Sequence, residues 1–329
     1  MPTIRIAVIA GDALTTEADI LLLKYAQASH GLDREVVRRL DKVGYFIDGQ
    51  LPKPEKHFLT SSHGALAARN ILFVGVPQLQ DLGYGRIREF GRQALAILAK
   101  EAPATRSILQ TVHGPGFGLD EIEAFRSQVA GIIDSVNANT YPTGLEQIVF
   151  VESSKNRANN LAQALAELFP TGQIPAGHSE KNTAGSSTPE FLRTTGYNSE
   201  NKKRAFVAMP FHTDFSDTYD YGIIGAVRDA GYLCERADMQ SYVGDVMQWV
   251  KNRINLADFM IADLTTANPN VYLEVGYAWG LGKPTILLVK DKNHLKFDTQ
   301  GQKCLLYTTI KDLETKLKAE LAGLNNLLF

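Results

Sequence analysis

Short apolar segments alternate with amphipathic ones along the N-terminal half of the chain. Apolar runs predict β-strands, and the segments between them carry apolar residues at the spacing of helices. The predicted strands are residues 4–10, 20–25, 70–76, 107–112 and 147–152, and the main predicted helices are 86–101, 119–137 and 158–169. Alternating strands and helices indicate an α/β domain with a parallel or mixed sheet.

The C-terminal half repeats this alternation more compactly. The predicted strands are residues 204–209, 232–236, 259–263 and 285–290, and the predicted helices are 218–230, 243–256, a helix that starts near Asn268, and 310–321. The pattern predicts a flavodoxin-like parallel sheet with helices on both faces. We expect the terminal helix to cover one edge of that sheet.

A polar segment separates the two halves. Residues 172–203 are rich in Gly, Ser, Thr, Asn and Lys and have almost no apolar periodicity. This composition predicts a linker, with one docked turn around Phe191 and Leu192. The expected organisation is therefore a first domain at 1–171, a linker at 172–203 and a second domain at 204–329.

Composition indicates an ordinary soluble globular protein. The 329 residues are 44% hydrophobic and 21% charged, with a formal net charge of -2. That charge gives no electrostatic reason to expect nucleic acid or an anionic membrane as a partner. Two cysteines are too few for a disulfide framework, which suits a reducing cytosol. Because no signal peptide or membrane-spanning run is recognisable, a cytoplasmic location is expected.

The densest chemical signal lies in residues 257–284. A buried strand is predicted to end on Asp263, and Asn268 then opens a helix with proline at its first position. Glu274 follows Asn270 by four residues, so the two share a helix face, with Tyr277 one turn further on. Open parallel sheets bind ligands at the carboxyl ends of their strands, so this arrangement of carboxylates, amides and aromatic rings suits a sugar.

A glycine-rich loop is the main signal of the N-terminal half. The loop spans residues 111–120, follows the predicted strand at 107–112, and contains His113, Gly114, Gly116 and Gly118. Loops of this kind let backbone amides approach a phosphate, with the start of the next helix adding a favourable field. A tight turn without a ligand explains the glycines equally well. Gly11 and Asp12, on the first loop, complete the candidate nucleotide site.

Ordered short motifs over residues 203–321 resemble nucleoside 2-deoxyribosyltransferases and their TIR-like relatives. The motifs are FVAMPF at 206–211, Arg236-x-Asp238, IADLT at 261–265, NPNVYxEVGYA at 268–278, GKP at 282–284 and Phe297-Asp298. These families break the bond between a ribose-type sugar and a base, and the resemblance implies that Glu274 is the catalytic carboxylate.

The same resemblance implies further roles in the second domain. Asp263 would contact base or sugar, and Asn268 or Asn270 would bind sugar hydroxyls. Asp263 is also the second catalytic candidate, because a nucleoside base needs an acid in order to leave and Asp263 or Asp238 would supply it if protonated. The substrate would also meet the remaining candidate residues, which are Met209, Pro210, Phe211, Asp238 and Tyr277. The transferases use another carboxylate where this chain has Asn268 and Asn270, which argues against base exchange more than against hydrolysis.

Simpler interpretations stay open for several of these residues. Glu274 would be an ordinary solvated helix residue, and Asp263 would cap a turn. Asn268-Pro269-Asn270 would only start a helix, and Met209-Pro210-Phe211 would pack in the core beneath a loop. Arg236 and Asp238 would form a structural ion pair.

The first half resembles the N-terminal domain of leucine aminopeptidases, which has a macro-like fold. The resemblance covers about residues 3–137 and is carried by DILLLKY at 19–25, Gly31-Leu-Asp33 and RNILFVGV at 69–76. It implies a domain that binds ADP-ribose or a related nucleotide. The metal-binding peptidase domain has no counterpart, and the scattered histidines form no HExxH motif, so neither a metal nor peptidase activity is expected.

Three hypotheses follow. The first is a bacterial antiviral-defence effector whose second domain hydrolyses NAD, as substrate and not as cofactor, under control of a nucleotide sensed by the first. The second is a nucleoside 2-deoxyribosyltransferase or nucleosidase, and the third is a non-enzymatic nucleotide-binding module. A homo-oligomer is expected from the resemblance alone.

Overall fold

The structure, a computed structural model, describes residues 3–176, 189–210, 212–236, 246–291, 293, 295 and 303–328. The chain divides into two compact units. The first unit comprises Met1–Gly114 and Glu121–Glu200, and the second comprises Pro115–Asp120 and Asn201–Phe329. Each unit is an α/β domain with its own sheet, which confirms the predicted two-domain α/β fold class.

The sheet of the first unit is mixed. Its strands are β1 Thr3–Ala10, β2 Ile20–Tyr25, β3 His57–Ser61, β4 Asn70–Gly75, β5 Ser107–Gln110, β6 Gln147–Glu152 and β7 Gln173–Pro175. They are arranged in the order β3-β4-β2-β5-β6-β1-β7. The five inner strands are parallel, whereas β3 and β7 pair antiparallel at the two edges. The five predicted strands are the inner ones.

Helices of the first unit follow the apolar pattern. They are α1 Gly31–Lys42, α2 Tyr84–Glu101, α3 Glu121–Asn137, α4 Lys155–Leu168 and the short α5 Glu190–Thr194. Helices α2 and α3 approach closely at Gly131. A Cβ atom at this position would lie only 1.9 Å from the carbonyl oxygen of Arg88. Side chains on α3 are buried along most of its length.

Part of the predicted linker is structured. Strand β7 pairs with β1, and α5 is held by Arg88. The Arg88 guanidinium donates to the carbonyl oxygens of Leu192 and Thr195 at 2.9 and 2.6 Å. It also forms a bidentate contact with Asp134. Residues 173–175 and 190–200 therefore belong to the first unit, and the boundary of the second unit lies at residue 201.

The sheet of the second unit is entirely parallel. Its strands are β8 Arg204–Ala208, β9 Leu233–Arg236, β10 Phe259–Asp263, β11 Thr285–Val289 and β12 Cys304–Leu306. Their order, β9-β8-β10-β11-β12, is the flavodoxin-like order. The order in which strands are added reverses between the neighbouring strands β8 and β10, although all strands are parallel. Four of these strands were predicted, and the short edge strand β12 was not.

Helices cover both faces of this sheet. A π-helical turn at Thr218–Ile223 continues into α6 Ile224–Asp229, and α7 Val246–Leu256, α8 Pro269–Gly280 and α9 Ile310–Leu328 follow. Leu313, Leu317 and Leu321 of α9 are fully buried in the core together with residues of α6 and β10. Helix α9 also contacts the edge strand β12, since the Lys316 ammonium donates to the carbonyl oxygen of Leu306 at 2.7 Å, which agrees with the predicted cover of one edge. No described helix is long and apolar enough to span a membrane.

Candidate functional site

The start of α8 is set by an asparagine cap. The Asn268 side chain accepts a hydrogen bond from the backbone amide of Asn270 at 2.9 Å, and Pro269 occupies the first helical position. This geometry satisfies a free amide at the helix start without help from a ligand. Asn270 itself is exposed. The cap thus accounts for Asn268, while the side chain of Asn270 faces solvent.

Glu274 lies in the second turn of α8, on the same side as the buried residues Val271, Val275 and Ala278. It is partly buried and has no hydrogen-bond or ion-pair partner among the residues that the structure describes. Burial raises the pKa of Glu274 to about 7. A carboxyl group that is desolvated without a partner, and that titrates near neutrality, is typical of a catalytic acid or base.

Asp263 is in the opposite situation. It is fully buried at the end of β10, and both of its carboxylate oxygens are engaged. Oδ1 accepts a hydrogen bond from the backbone amide of Thr265 at 2.9 Å, and Oδ2 accepts one from the Tyr307 hydroxyl at 2.8 Å. Burial raises the pKa of Tyr307, so this hydroxyl stays a donor. A substrate would reach Asp263 only by displacing one of these groups.

The loop after β8 holds the predicted wall of the base site. Met209 and Pro210 are buried, and Met209 belongs to the hydrophobic core. The Arg236 guanidinium lies 3.7 Å from the Met209 sulfur and 3.9 Å from the centre of the Tyr219 ring. Core packing therefore accounts for Met209. Phe211, Asp238 and the Phe297-Asp298 motif lie outside the described residues.

Tyr277 contacts the neighbouring helix α7. Its hydroxyl accepts a hydrogen bond from the side-chain amide of Asn255 at 3.2 Å, and the Lys251 ammonium lies 5.6 Å from its ring centre. These contacts tie α8 to α7. They leave the predicted substrate contact of Tyr277 as a prediction.

Candidate residues of the first unit follow the parallel strands β1 and β5, and hence lie at the carboxyl ends of the strands. The Asp12 carboxylate accepts from the backbone amide of Leu14 at 2.9 Å, and the Gly11 amide donates to the carbonyl oxygen of Glu152. The first contact is a local turn, and the second continues the hydrogen-bond ladder between β1 and β6. No contact in the described part of the chain selects these two residues for a phosphate.

His113 is a core histidine in this geometry. It is 6% exposed, and its ring packs edge-on against Phe90 with 4.6 Å between ring centres. Burial, together with the charge of Lys24, holds the pKa of His113 well below its usual range. The imidazole is therefore neutral, and its Nε2 atom has no hydrogen-bond partner among the described residues. Gly114 follows it with a positive φ of 109°.

The rest of the glycine-rich loop belongs to the second unit. Gly118 has a φ of +84°, and a Cβ atom there would lie 2.9 Å from the Trp249 ring. Asp120 forms a bidentate ion pair with Arg228 at 3.0 and 3.1 Å and accepts from the Cys234 amide of edge strand β9 at 3.0 Å. The loop thus covers part of an open sheet edge. Of the two glycines in Pro115–Asp120, Gly116 and Gly118, only Gly116 has open space where a Cβ atom would lie.

Sequence reasoning missed three residues of this region. Tyr307 partners Asp263, Arg228 partners Asp120, and Tyr219 stacks under Arg236. Tyr307 is 44 residues from Asp263, and Arg228 is 108 residues from Asp120. No local pattern signals contacts of that range. Within the described part of the chain, no group of three His, Cys, Asp or Glu side chains is arranged to hold a metal ion.

Comparison with known proteins finds similarity among solved structures. One is the Trypanosoma brucei macrodomain in complex with ADP-ribose, with 16% identity and a TM-score of 0.38 over 49% of this chain and 69% of that one. A second is the Oceanobacillus iheyensis macrodomain with MES bound, with 19% identity and a TM-score of 0.36 over 50% and 91%. A third is the macro domain of ganglioside induced differentiation associated protein 2, with 13% identity and a TM-score of 0.38 over 51% and 84%.

The sequence itself matches no protein-family description and no curated protein. The resemblance of residues 203–321 to nucleoside 2-deoxyribosyltransferases and TIR-like domains therefore stays a prediction. So does the relation of the first unit to leucine aminopeptidases.

Proposed function

We propose that the second unit cleaves the N-glycosidic bond of NAD or a related nucleotide, with Glu274 as the catalytic carboxylate. One observation carries the proposal. Glu274 is partly buried on α8 without a partner among the described residues, and its pKa is raised to about 7. The flavodoxin-like strand order, which places ligands beyond the carboxyl ends of the strands, supports it.

The chemistry needs one carboxylate. When the bond between C1′ and the nicotinamide nitrogen breaks, its electron pair moves to the ring nitrogen, and nicotinamide leaves as a neutral base. Positive charge develops on the ribose, which ionised Glu274 stabilises or traps as an ester. Water then adds to C1′, which breaks the C1′–oxygen bond to Glu274 where the ester has formed, and its proton passes to solvent, leaving ADP-ribose and the free carboxylate. At neutral pH a group with a pKa of about 7 is available both as the anion and as the acid.

The hydrogen bonds of Asp263 favour NAD over nucleosides as the substrate. A purine or pyrimidine leaves as an anion unless an acid protonates it, whereas nicotinamide needs no proton. Both oxygens of Asp263 already accept hydrogen bonds, from Thr265 and Tyr307, so a leaving base would have to displace one of these groups to reach it. The competing hypothesis, a nucleoside 2-deoxyribosyltransferase or nucleosidase, would then depend on Asp238 or on Glu274 itself.

A regulatory nucleotide site in the first unit is the second part of the proposal. Gly11 and Asp12 follow β1 and His113 follows β5, so all three lie at the carboxyl ends of parallel strands. An enzyme that destroys NAD would harm its own cell if it were always active, so a sensed nucleotide would switch it on. Such a switch would suit a bacterial antiviral-defence effector, and the active form would be a homo-oligomer.

The test is release of nicotinamide from NAD, measured by chromatography, with and without ADP-ribose and cyclic nucleotides. Deoxyadenosine and deoxycytidine are assayed in parallel. We expect Glu274→Gln to lower turnover by about 10²- to 10⁴-fold, since it removes the charge but keeps the shape. Glu314→Gln is the matched control, because Glu314 pairs with Lys311 and Lys318 on α9.

Each outcome separates the hypotheses. Bases released from deoxynucleosides with NAD untouched would move the function to nucleoside metabolism. Full NAD turnover by Glu274→Gln would exclude Glu274 as the catalytic group. Binding of a nucleotide without turnover by the wild type under every condition would leave a binding module.

A further inference from the structure

A buried tyrosine links the end of β10 to the loop that leads into α8. Tyr307 directly follows β12 and is 0% exposed. Its hydroxyl donates to Asp263 Oδ2 at 2.8 Å and lies 3.4 Å from the Thr265 hydroxyl. One side chain therefore contacts both the last residue of the strand and the loop that follows it.

The loop is held at several further points. Its Thr265 amide donates to Asp263 Oδ1 at 2.9 Å, and the Thr265 hydroxyl accepts from the backbone amide of Lys290 at 3.3 Å. Ala267 has a positive φ of 50°, which is unfavourable for a residue with a side chain. Local turn bonds, including one from the Ala267 amide to the carbonyl oxygen of Leu264 at 2.9 Å, and the tertiary contact with Lys290 together fix this conformation.

The conformation of the loop determines where α8 begins. The loop ends at Asn268, which caps the helix, and Glu274 follows in the second turn. Because a helix is stiff over this distance, a change in the path of the loop moves the start of α8 and Glu274 together. The depth of Glu274 in the apolar face therefore depends on contacts made at the end of β10.

We propose that Tyr307, acting through Asp263 and Thr265, is a positioning residue that sets the burial of Glu274. This inference rests on the proposed function for the role of Glu274 in turnover. It replaces the substrate contact predicted for Asp263 with a structural task. Tyr307 lies in the hydrophobic core, and its hydroxyl contacts Asp263 and Thr265.

The test is Tyr307→Phe, which keeps the ring and removes the hydroxyl. The titration of Glu274 is read from the pH dependence of unfolding, as the difference between each protein and the same protein carrying Glu274→Gln. We expect the pKa of Glu274 to fall from about 7 toward 4.5, as α8 loosens and water reaches the carboxyl group. In the NAD assay, kcat should fall about 10-fold with KM nearly unchanged.

Tyr232→Phe is the matched control. Tyr232 is also buried in this core, but its ring packs against Phe259, at the other end of β10, with 4.9 Å between ring centres. An unchanged Glu274 titration in Tyr307→Phe, with a stability loss like that of Tyr232→Phe, would overturn the proposal. If Tyr307→Phe fails to fold, Thr265→Val removes a second hydroxyl of the network and should shift the titration in the same direction.

Failure of the proposed function is recognised separately. A wild-type protein that never acts on NAD would refute NAD hydrolysis. The shift in the Glu274 titration would still be measurable, since it needs no substrate.

Discussion

Two regions of the second unit looked alike in sequence and differ in structure. The glycine-rich loop Pro115–Asp120 and the start of α8 both follow buried strands and carry a carboxylate, Asp120 or Glu274. Asp120 is engaged by Arg228 and by the Cys234 amide, whereas Glu274 has no partner among the described residues. The comparison teaches that the partners of a carboxylate, more than the motif around it, separate a structural group from a reactive one.

The largest expected effect on stability comes from Asp120, the carboxylate that has partners. Asp120→Ala leaves Arg228 and the Cys234 amide without their acceptor, and should lower the free energy of unfolding by about 3 kcal/mol. Both tryptophans, Trp249 and Trp279, belong to the second unit, so their fluorescence during urea unfolding follows its stability. Asp120→Asn keeps one acceptor and should lose less. Equal losses for the two variants would contradict the assigned contacts.

Glu274→Gln should give the opposite sign. Its folded pKa of about 7 lies above the ordinary value of 4.5, so the unfolded chain ionises first and stability falls as pH rises between the two values. Removing the charge should therefore leave stability nearly unchanged at about pH 4.5 and raise it by roughly 2 to 3 kcal/mol at about pH 8.

The control for this titration is Glu314→Gln. Lysines 311 and 318 lower the pKa of Glu314 to about 2, so its contribution to stability is present above the ordinary glutamate value of 4.5 and is lost as pH falls. The two variants should thus differ in sign at high pH. A loss of stability at high pH in Glu274→Gln would show that Glu274 has a cationic partner in solution.

The two sheets were largely predictable because their inner strands are continuous apolar runs. Strands such as β2 (ILLLKY) and β10 (FMIAD) are buried on both faces, so composition alone identifies them. Strands β3 (HFLTS) and β7 (QIP) are short edge strands with polar residues. They pair because a neighbouring strand offers an open edge, which the local sequence does not record.

The candidate site was predictable only in part. The asparagine and proline at 268 and 269 specify a helix start, and Glu274 follows at a spacing that places it beside the buried Val271 and Ala278. That signal is local and can be read directly. The hydrogen bond between Tyr307 and Asp263 could not be predicted, because the two residues are 44 positions apart and meet only in the folded sheet.

Gly118→Ala sharpens the structural side of the comparison. The substitution places a side chain at a φ of +84° and a Cβ atom 2.9 Å from the Trp249 ring. Strain and overpacking together should cost about 2 kcal/mol, visible in the same unfolding experiment. Gly116→Ala is the control, since a Cβ atom there meets open space, and should change stability by less than about 0.5 kcal/mol. Loss of nucleotide binding in Gly116→Ala alone would restore a ligand role to this loop.

The smallest effect separates the two asparagines before α8. Asn268→Ala removes the helix cap and should cost about 1 kcal/mol, whereas Asn270→Ala removes an exposed side chain and should cost less than about 0.5 kcal/mol. Turnover reverses the ranking if Asn270 binds a sugar hydroxyl, because its loss would then raise KM at unchanged stability. Asn268→Ser keeps a capping oxygen and should recover most of the stability. Loss of activity that follows stability in both variants would reduce this segment to a helix start and leave Glu274 as its one reactive group.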